Sequence, residues 1–184
     1  TTLLAQADSS VGGKTGVDFE GVKNVIGTFY QPKLVYINVD TLKTLPLREF
    51  KSGMAEVIKH GLIKDNEFFN FIKNNLDDIF EYNEDVMKHI IRINSVVEQD
   101  EKEESGLRAI LNFGHTIGHA MESVSGFELL HGECVSVGMT GAFKMACYMG
   151  MITNEMVNDV INLLERAGLP TAVKGINPEK VYDK

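Results

Sequence analysis

The sequence predicts a mainly α-helical fold in which short β segments are confined to the first 45 residues. Residues 1 to 45 are rich in Gly, Thr, Val and Asp, whereas helical spacing of apolar residues starts after Pro46. A hydrophobic content of 43% over 184 residues is enough for a domain with a buried core. The net charge of -8 argues against a nucleic-acid-binding surface, yet it allows a local cationic pocket.

The predicted β elements come first along the chain. We expect short extended pieces from Thr1 to Phe19 around a turn at Gly12-Gly13. Residues 34–39 read Leu-Val-Tyr-Ile-Asn-Val, a β-branched and aromatic run that predicts a strand.

The predicted helices follow. Pro46 suits a first helical turn, and the apolar positions after it continue at helical spacing to Leu62. Thr153 is a good N-cap for the last long helix, and Gly168 suits its end. A further helix is predicted to start at Asn177. The helices between these points are expected at about 66–74, 84–102, 108–124, 131–150 and 154–167.

Cysteine content and apolar runs bear on location. Cys134 and Cys147 do not make a disulfide framework, so a reduced cytoplasmic setting is the simplest interpretation. No long apolar run predicts a membrane span, and we find no signal peptide. The start at Thr1 rather than Met and the run that ends at Lys184 indicate a piece of a longer chain.

The strongest motif contains three of the five histidines within 17 residues. His115 and His119 are four residues apart and therefore share one face of a helix, and His131 starts the next predicted helix. A catalytic Zn²⁺ typically takes three protein ligands of this type and keeps one open position. The alternative, that these are ordinary histidines on a helix face, is less favoured for three histidines in two glycine-rich motifs. Gly114 and Gly118 are interpreted as leaving room for a ligand near the backbone.

Glu56 lies in the second motif, Gly53 to Gly61, where it interrupts an apolar helical stretch. A buried carboxylate is costly unless it is paired or binds a metal. Lys59 lies one turn further on, so a partly exposed Glu–Lys pair is an equally good interpretation from the sequence alone.

Basic residues supply the third feature. The run Gly12-Gly13-Lys14-Thr15 resembles a phosphate-binding loop but lacks the spacing of a Walker A motif. Lys23 and Asn24 add donors nearby, and Arg108 with Asn112 adds an anion-binding fork before the histidines. These residues and the predicted metal ligands describe a site for a small, polyanionic, hydroxyl-bearing molecule, suited to metal-assisted proton or hydride chemistry.

Taken together, these motifs resemble the 3-dehydroquinate synthase family over nearly the whole chain and in the same order. The matching segments are Thr1 to Gln6, Asp8 to Gly16, Gly53 to Gly61, Gly106 to Arg108, Leu111 to Ala120 and Leu130 to Glu133. The resemblance implies a helical metal- and substrate-binding domain, with residues 1–45 as an inter-domain segment contacting NAD and 46–184 helical. It also implies that the family's N-terminal NAD-binding domain is absent from the sequence.

The resemblance also implies roles for individual residues. Zinc, or cobalt, is expected on Glu56, His115 and His131, whereas His119 is expected to contact the substrate phosphate instead of the metal. Other substrate or active-site positions are expected at Asp8, Lys14, Asn24, Lys59, Glu103, Arg108 and Asn112. Positions expected to touch NAD are Thr1, Thr2, Lys14, Lys23, Thr41, Leu42, Lys43 and Thr44.

The implied activity is that of a phosphorus–oxygen lyase in the shikimate pathway, acting on a small sugar phosphate. It turns 3-deoxy-D-arabino-heptulosonate 7-phosphate into 3-dehydroquinate and phosphate, and NAD is reduced and reoxidised within the cycle. The family implies a homodimer for the longer enzyme, and we expect this piece to be inactive alone. One departure is the absence of the family's lysine before Val96-Val97, where Arg92 is the nearest basic residue.

Three alternatives remain at this stage. Another NAD- and metal-dependent sugar-phosphate cyclase, such as 2-deoxy-scyllo-inosose synthase, is the nearest. A metal-dependent alcohol or glycerol dehydrogenase of similar architecture is more distant. The third is a helical module that binds a metal or a partner without catalysis, and it would need no ring of Lys14, Lys23, Lys59 and Arg108.

Overall fold

A computed structural model describes residues 1–11, 13–20, 22–103, 107–126 and 128–173. It confirms a mainly helical chain with a small β element near the start. Within the described residues the helices are α1 (Leu47–Lys64), α2 (Asn66–Asn74), α3 (Leu76–Phe80), α4 (Glu84–Glu103), α5 (His115–Val124), α6 (His131–Tyr148) and α7 (Asn154–Arg166). No helix among them is long and apolar enough to cross a bilayer.

The long helices lie where apolar periodicity predicts them, with ends that differ by at most two residues for α2, α4, α6 and α7. Thr153 caps α7 as expected, because its hydroxyl accepts a hydrogen bond from the amide of Met156 at 3.3 Å. Gly168 follows the end of α7 with a φ of 71°, a conformation that favours glycine. The short helix α3 was not predicted. The helix expected to begin at Asn177 lies outside the described residues.

The single helix predicted at 108–124 is wrong. Leu107–Asn112 form a 3₁₀-helix, and α5 starts only at His115. The break occurs at Gly114, whose φ of 78° lies in the left-handed region and cannot continue an α-helix. As a result, His115 is the first residue of a new helix.

The β element is an antiparallel hairpin of β1 (Lys14–Phe19) and β2 (Val22–Phe29). A Cβ on Gly27 would lie 1.9 Å from the carbonyl oxygen of Thr15, so this strand pairing requires glycine there. Upstream of the hairpin, Ala5–Ser9 form a π-helical turn. The prediction of extended structure from Thr1 onwards is therefore wrong for these five residues.

The strand predicted at 34–39 is also wrong. Among the described residues the hairpin is the only sheet, so this run has no neighbouring strand with which to pair. Leu34 and Tyr36 are 81% and 84% exposed, and Val39–Thr44 form a 3₁₀-helix that Asn38 caps by accepting from the amide of Asp40. β-propensity expresses how well a residue fits a paired, half-buried surface, and that surface is missing here.

Helix α1 is the centre of the core and contacts α2, α4 and α6. Its apolar face is fully buried at Phe50, Met54, Val57 and Ile58. Each such side chain contributes about 1.5–3 kcal/mol relative to an exposed one. This burial holds α1 firmly in place, so the polar residues on the same helix are held as rigidly as the core.

Candidate metal centre and substrate cleft

Glu56 lies on α1 with its side chain 0% exposed. Lys59, one turn further along, is 2% exposed and forms an ion pair with the carboxylate through Oε2. The partly exposed Glu–Lys pair considered from the sequence is therefore wrong, and the alternative of a buried carboxylate is confirmed. Among the described residues, no hydrogen bond reaches Oε1 of Glu56.

His115 is directed toward Glu56 by the turn that precedes α5. Its Nδ1 lies 3.1 Å from the carbonyl oxygen of Phe113, which favours a proton on that nitrogen. Its Nε2 lies 3.6 Å from Oε1 of Glu56. The left-handed residue Gly114 thus places an imidazole nitrogen with a free lone pair beside the buried carboxylate.

His131 starts α6, and its position depends on how closely α6 packs against α1. The amide of Gly132 donates to the hydroxyl of Ser52 at 3.0 Å. A Cβ on Gly132 would lie 1.9 Å from the carbonyl oxygen of Ser52, so only glycine permits this approach. Nε2 of His131 then lies 3.4 Å from Oε1 of Glu56.

A surface ion pair supports the same helix start. Arg48 of α1 donates to both carboxylate oxygens of Glu133, at 2.8 and 2.7 Å. Glu133 also accepts from the amide of Leu130 at 2.9 Å, which satisfies an otherwise open donor at the start of α6. The cap and the ion pair therefore fix the first turn of α6, which carries His131.

The ligand atoms of Glu56, His115 and His131 all lie within 4.8 Å of one another. Two ligands of a tetrahedral zinc, each about 2.0–2.1 Å from the ion, are roughly 3.3 Å apart. The separations of 3.6 and 3.4 Å from Oε1 to the two Nε2 atoms are close to that value. One buried carboxylate oxygen without a hydrogen bond and two imidazole nitrogens therefore fit a divalent cation.

The charges in the cluster favour an ionised Glu56 carboxylate and a neutral His115 ring, the states that a metal site needs, but they favour a proton on His131 that a bound cation must displace. Burial raises the pKa of the Glu56 carboxyl, but the Lys59 ammonium and both histidines outweigh it and hold that pKa below its ordinary value. Burial lowers the pKa of His115 to about 4, so this ring is neutral at pH 7. Burial also lowers the pKa of His131, but Glu56 and Glu122 outweigh it and raise that pKa above the usual value.

A cavity of about 530 Å³ opens beside this cluster, and His115 and His131 form part of its wall. The hairpin closes another side through residues such as Thr15 and Thr28. Four further residues predicted as substrate or active-site positions line the same cavity: Asp8, Lys59, Asn112 and His119. The structure thus places Asp8, from the start of the chain, in the same cavity as the residues of the histidine motif.

His119 lies on α5 one turn after His115, and the two ring centroids are 5.3 Å apart. It does not belong to the cluster around Glu56 but to a second group with Glu122 and His131. This arrangement agrees with a role for His119 other than ligand to the same ion as Glu56, and its contact with a substrate phosphate stays a prediction.

The two glycines beside the histidines serve helix packing. A Cβ on Gly118 would lie 3.3 Å from backbone atoms of Cys134, and one on Gly114 would lie 2.9 Å from the carbonyl oxygen of Val135. Both glycines therefore let α5 approach α6 closely. The interpretation that they leave room for a ligand is wrong, because the space beside each is filled by the neighbouring helix.

The predicted NAD-contacting residues occupy varied environments. Thr1 and Thr41 line a separate cleft of about 330 Å³. Thr2 accepts a hydrogen bond from the amide of Ala5. Leu42 is buried in the core, whereas Thr44 donates to the carbonyl oxygen of Thr41 at 3.3 Å and Lys43 pairs with Asp40 on the surface. The remaining predicted site residues have side chains outside the described part of the structure: Lys14, Lys23, Asn24, Glu103 and Arg108.

Sequence reasoning missed Glu122, which lies on α5 and is 4% exposed. Its Oε1 is 2.8 Å from Nδ1 of His131, on the opposite side of the ring from Glu56. The signal available in the sequence was an acidic residue in an apolar helical stretch, three residues after His119. That signal is weak, because the partner lies on another helix.

The fold and the cluster define the class of molecule, a helical domain built around one carboxylate and two imidazoles. Two family models match the chain, 3-dehydroquinate synthase N-terminal over residues 1–52 and 3-dehydroquinate synthase C-terminal over residues 53–184. The chain therefore belongs to the 3-dehydroquinate synthase family.

Among curated relatives, the chain is 62% identical to a 3-dehydroquinate synthase of Acetivibrio thermocellus and 58% identical to one of Ruminiclostridium cellulolyticum. Each match covers 100% of this chain and 52% of the relative, so the chain spans about half the length of the curated relatives it matches.

Solved structures show the same likeness. One is 2-epi-5-epi-valiolone synthase from Streptomyces hygroscopicus with NAD⁺ and Zn²⁺ bound, with a TM-score of 0.89 and 28% identity over 99% of this chain and 52% of the other. A second is 2-deoxy-scyllo-inosose synthase complexed with carbaglucose-6-phosphate, NAD⁺ and Co²⁺, with a TM-score of 0.80 and 30% identity over 100% of this chain and 51% of the other.

Proposed function

We propose that this chain forms the metal- and substrate-binding part of an enzyme with 3-dehydroquinate synthase activity. The reaction converts 3-deoxy-D-arabino-heptulosonate 7-phosphate to 3-dehydroquinate and phosphate. The observation that carries the proposal is the convergence of Glu56, His115 and His131, from three different helices, beside a polar cleft. The names of relatives at 62% and 58% identity supply the reaction.

The proposed metal site takes Zn²⁺ or Co²⁺ on Glu56, His115 and His131. Both ions occur in the similar solved structures, and the donor set suits either. When bound, such an ion polarises substrate hydroxyl oxygens. The residues of this chain hold it in a rigid position, because the carboxylate is buried among the core residues of α1 and each histidine starts its own helix.

The cleft residues bind and orient the sugar phosphate. Asn112 and His119 offer hydrogen-bond donors on the cleft wall, and His119 is assigned to the phosphate. Lys59 places a positive charge beside the cluster, and Asp8 offers an acceptor for a hydroxyl. We assign further substrate or active-site contacts to Lys14, Asn24, Glu103 and Arg108. Holding the substrate in its reactive geometry is then the main catalytic contribution of these residues, and no dedicated strong base is needed.

NAD is the proposed redox cofactor, and residues 1–45 are proposed to contact it while residues 46–184 form the helical domain. The contacts are assigned to Thr1, Thr2, Lys14, Lys23, Thr41, Leu42, Lys43 and Thr44. Support comes from the NAD⁺ in both similar structures and from the cleft that Thr1 and Thr41 share. We further propose that the longer enzyme is a cytoplasmic homodimer and that this chain alone does not turn over.

A chimera tests the activity. In this chimera, the present chain, from Thr1 onward, replaces the region of the Acetivibrio thermocellus relative that it matches. Phosphate release from the heptulosonate phosphate would be measured with NAD and zinc. We expect turnover within about tenfold of the relative, a shift of about 1.4 kcal/mol in the barrier. The 184-residue chain alone should release none.

Glu56→Gln, His115→Ala and His131→Ala in the chimera serve as loss-of-ligand variants, and each should abolish turnover. A folded chimera that binds zinc and NAD yet releases no phosphate would refute the proposed activity. The same assay with glucose 6-phosphate, the natural counterpart of the carbaglucose-6-phosphate in the similar structure, would detect the alternative cyclase activity.

A further inference from the structure

We propose that Glu122 is a positioning residue of the metal centre: its carboxylate accepts the Nδ1 proton of His131 and so presents Nε2 of that ring to the cation. The inference rests on the metal site of the proposed function and not on the reaction that the site catalyses. It goes beyond the three ligands by naming the group that orients one of them.

The geometry places one imidazole between two carboxylates. Oε1 of Glu122 lies 2.8 Å from Nδ1 of His131, while Oε1 of Glu56 lies 3.4 Å from Nε2 of the same ring. Glu122 is 4% exposed, so little water competes for its hydrogen bond. Each ring nitrogen therefore has its own acidic neighbour, on opposite sides of the ring.

The contact between Nδ1 of His131 and Glu122 decides which tautomer the ring adopts. A neutral imidazole carries one N–H, and the other nitrogen keeps the lone pair that binds a metal. An ionised carboxylate can only accept, so Glu122 selects the form of His131 that is protonated on Nδ1. Without it, the proton could reside on Nε2 and block the ligand position.

His115 shows the same arrangement with a different acceptor. Its Nδ1 faces the backbone carbonyl oxygen of Phe113, which no substitution of a side chain removes. Of the two orienting acceptors, only the one on His131 is a side chain. Glu122 also adds a second negative charge near the ion, next to that of Glu56, which favours a divalent cation.

An alternative is that Glu122 binds a metal directly with His119 and His131, since their ligand atoms also lie within 4.8 Å of one another. The 2.8 Å between Glu122 and Nδ1 of His131 argues against it. Two ligands on one tetrahedral zinc are roughly 3.3 Å apart, whereas 2.8 Å is a charge-assisted hydrogen-bond distance. The two roles also predict opposite tautomers for His131.

The test compares Glu122→Ala and Glu122→Gln with wild type in the 184-residue chain, measuring zinc affinity by chelator competition and the His131 tautomer by ¹⁵N-histidine NMR of the zinc complex. We expect the alanine variant to bind zinc about 10–100-fold more weakly. The glutamine variant keeps an acceptor oxygen and should recover part of that loss. In wild type, Nδ1 of His131 should be protonated and Nε2 bound to zinc.

Ser136→Ala is the matched control. Ser136 lies on α6 with His131, is buried, and donates to the carbonyl oxygen of Pro170 at 2.8 Å, away from the cluster. Its loss should lower the free energy of unfolding in urea and leave zinc affinity unchanged. Wild-type zinc affinity in both Glu122 variants, or zinc on Nδ1 of His131, would overturn the inference. An inactive chimera would instead count against the proposed activity.

Discussion

Replacing Gly132 by alanine tests whether the close approach of α6 to α1 builds the metal centre. The added Cβ would lie 1.9 Å from the carbonyl oxygen of Ser52 and 2.6 Å from its carbonyl carbon. Both are backbone atoms of the central helix, so the rotation of a side chain cannot relieve the clash. The contact must open by at least about 1 Å before it reaches 3.0 Å, below which real Cβ atoms essentially never lie.

That displacement has two consequences. Overpacking of this kind typically costs about 1–3 kcal/mol, and the higher helix propensity of alanine offsets less than about 1 kcal/mol of it. We therefore expect the free energy of unfolding to fall by about 2 kcal/mol. The start of α6 also moves away from α1, which separates His131 from Glu56 and should weaken zinc binding by at least about tenfold, or 1.4 kcal/mol.

Urea unfolding followed by circular dichroism measures the first effect, and chelator competition measures the second. Gly141→Ala is the matched control on the same helix, because its Cβ would meet only the terminal methyl of Ile117, at 2.9 Å, which can rotate away. It should change neither quantity by much. If Gly132→Ala unfolds and binds zinc like wild type, the packing account of the site is mistaken.

Three further predictions concern stability. In metal-free protein, Glu56→Gln leaves the Lys59 ammonium buried without its counter-charge and should lower the free energy of unfolding by about 3–5 kcal/mol, and adding Lys59→Met should restore part of it. Arg48→Gln removes the hydrogen bond that lowers the pKa of Glu133, so the wild type should be slightly more stable than the variant at neutral pH. A depressed carboxyl pKa stabilises above the unfolded value of about 4.3. That difference should therefore vanish in unfolding curves as pH falls through the folded pKa; a difference that grows in acid would contradict it. Thr153→Ala should cost about 1 kcal/mol in urea unfolding through loss of the cap on α7, and an unchanged midpoint would count against that cap.

The sequence was informative wherever structure depends on neighbours within a few turns. Helices α2, α4, α6 and α7 lie where apolar spacing predicts them, since that spacing reflects the 3.6-residue period of the helix itself. The motifs around Glu56, His115 and His131 were sufficient to indicate the family, which the family models then showed. The family resemblance also named Glu56, His115 and His131 together, and their ligand atoms do lie within 4.8 Å of one another, while their role as metal ligands stays a prediction.

Predictions failed where a partner distant in the chain decides the outcome. Residues 34–39 have strand propensity but no strand beside them among the described residues, so they do not form one. The left-handed turn at Gly114, which packs against Val135 of α6, divides the helix predicted at 108–124. Glycines 114 and 118 looked like openings for a ligand, yet the neighbouring helix fills those positions.

By itself, then, the sequence determined the helical class of the chain, most helix positions and the family, and through the family resemblance it proposed three candidate metal ligands. Only the tertiary structure decided that Glu56 is fully buried, that Gly132 lets α6 touch α1, and that Glu122 faces the far side of His131. The physical reason is that periodicity and capping are properties of a single segment. Burial, close packing and the orientation of a ring depend on atoms that other segments bring to it.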